Sequence, residues 1–144
     1  MREHDQDYVD ACRSRVESQI GMFREVAQAA RDHGDADVSG LEGALESLEY
    51  EYFNNMLLVL DASFPTPDAG PGTAVAEVRA LSRSLMEDGG TLAVDPEDPD
   101  APAPGGGVLG LRAGDPITLT LQQFRRISDA FFREIESRTA RSDG

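Results

Sequence analysis

The sequence has 144 residues, of which 40% are hydrophobic, and this predicts a single domain spanning residues 1–144 with a real core. It carries 27 acidic and 13 basic residues, and all 13 bases are arginine. The resulting net charge of -14 repels nucleic-acid phosphates and anionic lipid. We therefore expect neither nucleic acid nor a membrane as a partner, whereas a basic protein surface would be attracted.

The cellular compartment is predicted from the N-terminus, the cysteine content and the apolar runs. Residues 1–5 are polar and lack the apolar core of a signal peptide. The one cysteine, Cys12, excludes an intramolecular disulfide. The longest apolar run, residues 56–60, is much shorter than the roughly 20 residues of a membrane helix. These features predict a cytoplasmic protein.

The first half of the chain has the apolar spacing of two long helices. Over residues 5–33, apolar residues recur every three or four positions: Tyr8, Cys12, Val16, Ile20, Phe23, Ala27 and Ala30. Over residues 40–63 the apolar stripe is Leu41, Leu45, Leu48, Tyr52, Met56, Val59 and Leu60. The second segment is apolar on nearly all sides between residues 53 and 60, which predicts the central core helix. Prolines at 65 and 67 end it.

The second half predicts two further helices with an insertion between them. Residues 73–88 form the third predicted helix, and residues 121–138 form the fourth, after a capping-box pattern at Thr120 and Gln123. Between them, residues 91–94 resemble a short strand, and residues 95–107 form a flexible acidic loop rich in proline and glycine. Residues 108–111 and 117–119 flank a turn signal at 113–116, so we expect them to pair as a β-hairpin. Residues 139–144 are expected to fray.

The predicted fold class is therefore mainly α, in the α+β sense. We expect a four-helix domain with a small antiparallel insertion, a β-hairpin or three strands, before the last helix. Because an isolated hairpin is only marginally stable in water, it must pack on a helix or on a second copy of the chain.

The second half of the chain also contains several distinctive segments: FNNMLLVLD at 53–61, EVRAL at 77–81, SLMEDGG at 84–90, VLGL at 108–111 and FFREI at 131–135. Over about residues 53–136 the chain resembles an uncharacterised family of small acidic actinobacterial proteins of unknown function. The resemblance implies an actinobacterial source and brings no activity, cofactor or site residue. The similar proteins carry a basic stretch with His and Arg after the second helix, whereas residues 63–70 here are short and acidic.

A degenerate calcium loop is the sharpest chemical pattern in the sequence. Positions 1, 3, 5, 6 and 12 of an EF-hand loop, which supply oxygen ligands and a sharp turn, match Asp35, Asp37, Ser39, Gly40 and Glu46. Position 8, which is normally apolar, is Glu42. Ser39 and Glu42 also form a capping-box pattern, so the alternative is an acidic turn that starts the second helix. Ca²⁺ is therefore the only cofactor the sequence suggests.

Two asparagines interrupt the most apolar helix. Asn54 and Asn55 could form the polar floor of a small-molecule pocket, or one arm of a ligand site with Glu51 and Asp61 on the same helix. The alternative is structural, because a buried asparagine can hydrogen-bond across helices and fix their register, as in coiled coils. No pattern of a serine nucleophile, a phosphate-binding loop or a di-iron bundle occurs, and we name no catalytic residue.

The leading functional hypothesis is a non-catalytic helical interaction or scaffold protein that forms a homodimer. It rests on the amount of apolar surface on the first two helices, which is large for a small domain to bury alone. The alternatives are a calcium- or other cation-binding protein through residues 35–46, and a small-molecule-binding protein with a pocket at Asn54 and Asn55.

Overall fold

The computed structural model describes residues 5–32, 39–65, 72–93 and 107–143. Within them the chain forms four helices: α1 Gln6–Asp32, α2 Ser39–Ser63, α3 Ala74–Glu87 and α4 Leu121–Asp143. The prediction of a mainly helical, four-helix protein is confirmed, and most helix ends lie within one residue of their predicted positions. The exception is the end of α4, which extends five residues beyond the predicted position 138. No described helix is long and apolar enough to cross a membrane.

Two tyrosine hydroxyls show how α1 and α2 are paired. Tyr8, near the start of α1, donates to the carbonyl of Ser63 at the end of α2, over 2.7 Å. Tyr52, in the middle of α2, donates to the carbonyl of Gln19 over 3.1 Å. The partner therefore moves back along α1 as the chain advances along α2, so the two helices are antiparallel.

The other helices complete a bundle that alternates in direction. Phe53 of α2 stacks on Phe124, and Phe64, just after α2, meets Phe131 edge-on, so α2 and α4 run in parallel. Both helices contact α1 and α3, whereas α1 and α3 do not pack against each other within the described residues. α2 and α4 therefore lie diagonally across the bundle, with α1 on one side and α3 on the other.

The core is built on two groups of aromatic rings. Phe53, which is completely buried, contacts Phe23, Tyr52 and Phe124 at centroid distances of 5.1–5.4 Å. The second group lies at the other end of α2, where Phe64 contacts the following residues: Tyr8, Phe131 and Phe132. Edge-to-face and offset rings at these distances are the favoured arrangements.

Most of the predicted apolar positions are buried. In α1 these are Cys12, Val16, Ile20, Phe23 and Ala27, and in α4 they are Leu121, Phe124, Ile127, Phe131 and Ile135. The prediction was wrong for Tyr8 of the α1 stripe and for Leu48 and Val59 of the α2 stripe, since all three are exposed. The predicted stripes were too wide, because one face of a helix can be buried against its neighbours only over a limited arc.

The predicted β-hairpin is not present among the described residues. They contain no strand, only one antiparallel bridge between Thr91 and Pro116. Hydrogen bonds join residues 90–92 to residues 114–117 instead, including one from the Ile117 amide to the Gly90 carbonyl over 2.8 Å. The turn predicted at 113–116 does form, with Gly114 at a φ of 94°.

Side chains on α2 and α3 form hydrogen bonds to backbone groups of the two segments that were predicted to pair as a hairpin. The Glu77 carboxylate accepts from the amides of Val108 and Leu109, over 2.7 and 3.1 Å. The Asn54 side chain bonds to the carbonyl of Ile117 and the amide of Leu119. The two segments are therefore each bonded to a helix rather than to one another. They still contribute to the core, since Ile117 and Leu119 are buried.

Two sets of hydrogen bonds stabilise the start of α4. The Gln123 amide donates to the Thr120 hydroxyl and the Thr120 amide donates to the Gln123 side chain, so the predicted capping box is confirmed. The Glu49 carboxylate on α2 also accepts from the amide of Leu121 over 2.8 Å. This last bond satisfies a helix-terminal donor and connects α2 to the beginning of α4.

Candidate functional site

The predicted calcium loop lies mostly outside the described residues. Asp35 and Asp37 fall in the stretch 33–38, and the side chain of Ser39 is also outside the description. Glu46 is exposed on α2. Among the described residues, no three acidic, histidine or cysteine side chains converge as a metal site would require. Calcium binding through these residues therefore stays a prediction.

Asn54 has a structural role, as one of the two interpretations proposed, but it bonds to the segment before α4 and not across helices. Its amide nitrogen donates to the Ile117 carbonyl over 2.8 Å, and its oxygen accepts from the Leu119 amide over 3.2 Å. The Asn54 side chain thereby satisfies two backbone groups of the segment 117–119, the kind of groups that a neighbouring strand satisfies in a sheet. Asn55, the next residue, is exposed. The two asparagines therefore have different environments despite being adjacent.

We predict that Asn54→Ala costs about 2 kcal/mol of unfolding free energy, because it leaves a partly buried carbonyl and amide without their partner. Asn55→Ala is the matched control and should change stability by less than about 0.5 kcal/mol, since Asn55 is exposed. Urea unfolding of the two variants measures both values. Equal losses for the two substitutions would argue against the bonding role of Asn54.

A groove runs between α2 and α3 on the outer side of the bundle. We call it the α2–α3 groove; it is open to solvent, has a volume of about 530 Å³ and is lined by the following residues: Leu58, Asp61, Arg79, Ser82, Arg83, Met86 and Glu87. A neighbouring depression of about 280 Å³ shares Leu58 with it and is lined by the following residues: Glu51, Asn54, Asn55 and Leu85. The three predicted pocket residues, Asn54, Asn55 and Asp61, thus border two adjacent hollows and do not share one.

Charges of both signs meet in the α2–α3 groove. Burial raises the pKa of the Asp61 carboxyl above its usual value, and the positive charges of Arg79 and Arg83 offset part of this rise. The two guanidinium groups are therefore close enough to influence Asp61. With Glu87 on the rim, the groove carries two acidic and two basic side chains.

Ser82 is an unusual component of this groove. It is only 5% exposed, and its hydroxyl has no hydrogen-bond partner among the described residues. A serine in a helix commonly bonds back to a carbonyl in the preceding turn, which satisfies the hydroxyl locally. A buried hydroxyl without a partner costs about 1–3 kcal/mol, so this position is unfavourable for the folded chain alone.

The sequence did not single out the residues that α3 contributes to the groove. Arg79, Ser82, Arg83 and Met86 are spaced by three or four residues, which places them on one side of a helix. That spacing was the available signal. It was hidden by the predicted apolar stripe of the same helix, which consists of Val75, Val78, Leu81, Leu85 and Met86. The first three are buried in the core, whereas Met86 is exposed.

A second surface feature lies on the outside of the α1–α2 pair. Five large apolar side chains are between 45% and 60% exposed there, and together they define what we call the α1–α2 face: Tyr8, Met22, Val26, Leu48 and Val59. At about 100° per residue, the three from α1 lie on the same side as Gln19, and the two from α2 lie on the same side as Tyr52. Because Tyr52 bonds to Gln19, these two sides adjoin.

Comparison with known proteins gives no relative from which an activity could be carried over. The chain matches no protein-family model, no curated protein and no solved structure. The resemblance to an uncharacterised actinobacterial family therefore stays a prediction, and the function has to be argued from the two surface features alone.

Proposed function

We propose that the protein is a non-catalytic helical scaffold that forms a homodimer through the α1–α2 face. The observation that carries the proposal is the exposure of five large apolar side chains on one side of a single helical pair. Isolated apolar residues on a surface are normal, but a contiguous group is typical of an interaction site.

The distribution of charge favours a second copy as the partner. On α1 the exposed residues around Met22 and Val26 include one acid, Glu25, beside the uncharged or basic Ala11, Arg15, Ser18 and Ala29. On α2 the neighbours of Leu48 and Val59 contain one acid, at the edge: Ala44, Glu51, Asn55 and Ala62. A chain with a net charge of -14 repels its copies in general, so a face with few acids is where two copies can approach.

The size of the face agrees with this partner. Two helices of 27 and 25 residues, lying side by side, present a strip about 40 Å long and about 20 Å wide. That is about 800 Å², the area each partner buries in a stable complex of ordinary size. Two antiparallel pairs packed face to face would form an intermolecular four-helix layer, in which the same patch serves both copies.

Light scattering tests the proposal directly. At micromolar concentration we expect twice the mass of the 15.5 kDa chain. Val26→Glu should raise the dissociation constant by about 100-fold or more, because it buries an unpaired charge in the interface. Met86→Glu is the matched control, since Met86 is an exposed apolar residue on α3, outside the α1–α2 face, and this variant should remain dimeric.

A wild-type chain of monomer mass at these concentrations would refute the proposal, as would equal dissociation in both variants. A basic protein that binds the monomer through the acidic surface is the alternative partner, and its complexes would weaken steeply with salt. Homodimerisation should instead strengthen with salt, because salt screens the repulsion between two chains that each carry a net charge of -14. A cytoplasmic location and an actinobacterial origin complete the proposal and rest on the sequence.

A further inference from the structure

The α2–α3 groove is one of two places in the described part of the chain where a buried polar atom lacks a hydrogen-bond partner, the other being the Nε of Arg125. The Ser82 hydroxyl is buried below the groove without a partner in the described part of the chain. Met86, on the rim, is 72% exposed, the highest value among the large apolar side chains of the described residues. A ligand that enters the groove covers the exposed apolar surface of Met86, and this burial favours binding.

The charges of the groove define the class of that ligand. The carboxylates of Asp61 and Glu87 repel a simple anion, and the negative net charge of the whole chain adds to this repulsion. Arg79 and Arg83 oppose a simple cation. A molecule with one group of each sign can meet both pairs, and Leu58 with Met86 offers a surface for an apolar side chain.

We propose that the α2–α3 groove binds a small zwitterion with an apolar side chain, of the size of an amino acid or a dipeptide. Its carboxylate lies against the guanidinium groups of Arg79 and Arg83, which suit planar oxyanions. Its ammonium group faces Asp61, and its side chain covers Leu58 and Met86. A volume of about 530 Å³ accommodates a ligand of this size. The site lies on a different surface from the α1–α2 face and does not depend on dimer formation.

NMR titration of the full chain with four probes separates the charges of the ligand. L-leucine and glycyl-leucine are zwitterions, isopentylamine lacks the carboxylate of leucine, and 4-methylpentanoate lacks its ammonium group. We expect at least one zwitterion to shift amide signals of residues 58–61 and 79–87. Each single-charge probe should bind about 10-fold more weakly than the zwitterion. It is repelled by the pair of side chains that carries its own charge and lacks the group that would bind to that pair.

Two variants assign the contacts. Asp61→Asn should weaken binding of the zwitterion by about 5- to 10-fold and leave 4-methylpentanoate unaffected, because only the ammonium contact is lost. Arg83→Gln should weaken both the zwitterion and 4-methylpentanoate, and leave isopentylamine unaffected. Arg24→Gln, at an exposed arginine of α1, is the control and should change none of these affinities.

Three results would overturn the proposal. The first is the absence of shifts in the groove with both zwitterions at millimolar concentration. The second is equal affinity for leucine and its two single-charge analogues, which would indicate apolar contact alone. The third is equal loss of binding in Arg24→Gln and Arg83→Gln, which would indicate a general charge effect.

Discussion

Replacing Phe53 by alanine should remove about 3–5 kcal/mol of unfolding free energy, which is a large part of the total stability of a domain of this size. Phe53 is 0% exposed and lies where α1, α2 and α4 meet. Its ring contacts Phe23 of α1 at 5.1 Å and Phe124 of α4 at 5.4 Å. Alanine would leave a cavity bounded by three helices, and helices already packed on one another can close such a cavity only in part.

Urea unfolding followed by circular dichroism measures this loss. Phe53→Leu is the graded control, since it keeps most of the buried volume and should cost clearly less than alanine. Met86→Ala is the control for a surface position and should change stability by less than about 0.5 kcal/mol. A loss below about 1.5 kcal/mol for Phe53→Ala would mean that this ring is not at the centre of the core. The measurements should be made at one protein concentration, because dimer formation would add to the apparent stability.

The helices were predictable because their main signals are local. A spacing of three or four residues identifies the buried face of α1 and α4 wherever the apolar residues form a narrow stripe, as with Val16, Ile20 and Phe23. Proline after Phe64 and the reciprocal bonds of Thr120 and Gln123 mark helix ends within a few residues of sequence. Such features do not depend on the rest of the fold.

The insertion was not predictable in the same way. Alternation of apolar residues and a turn signal indicated that residues 108–111 and 117–119 are extended, but they did not indicate which groups would bond to them. The partners, Glu77 and Asn54, lie 31 and 63 residues earlier in the chain. The side chains of Glu77 and Asn54 bind the backbone groups that the hairpin was expected to pair. A local sequence pattern does not show which of several distant groups will bind a given segment.

The candidate site was predictable only on the α2 side. Asp61 and the two asparagines stood out because polar residues are unusual in the most apolar helix of the chain. Ser82 and Arg83 are ordinary residues for an exposed helix face, and their significance arises from the packing of α3 beside Asp61. The sequence predicted an excess of apolar surface on the α1 stripe and at residues 53–60, but most of these residues are buried. Met22 and Val26 of the α1–α2 face lie outside both predicted stripes.

The second large effect is expected at Glu77, whose carboxylate is buried and holds the beginning of the segment before α4. Glu77→Ala leaves the amides of Val108 and Leu109 without their acceptor, and we expect it to cost about 3 kcal/mol. Bonds from backbone amides to a charged carboxylate are stronger than neutral ones, and two are lost together. Glu87→Ala, at an exposed glutamate of the same helix, is the matched control and should be nearly neutral.

Gly107 provides an independent test of the same contact. A Cβ atom at this position would lie 2.5 Å from the carboxyl carbon of Glu77, and no other residue is among its three nearest contacts. Gly107→Ala should therefore destabilise the wild-type chain by about 1–2 kcal/mol by displacing the carboxylate from the two amides. In a Glu77→Ala background the same substitution should cost almost nothing, because the atoms it clashes with are gone.

The double-mutant cycle thus has a coupling energy of about 1–2 kcal/mol if Glu77 supports the segment as the geometry indicates. Hydrogen exchange supplies a local measurement, since the Val108 and Leu109 amides should exchange faster in Glu77→Ala and in Gly107→Ala than in Glu87→Ala. Additive losses in the cycle, or unchanged exchange at both amides, would contradict the role of Glu77. Because the segment also carries the buried Ile117 and Leu119, loosening it at Glu77 should expose part of the core between α2 and α4.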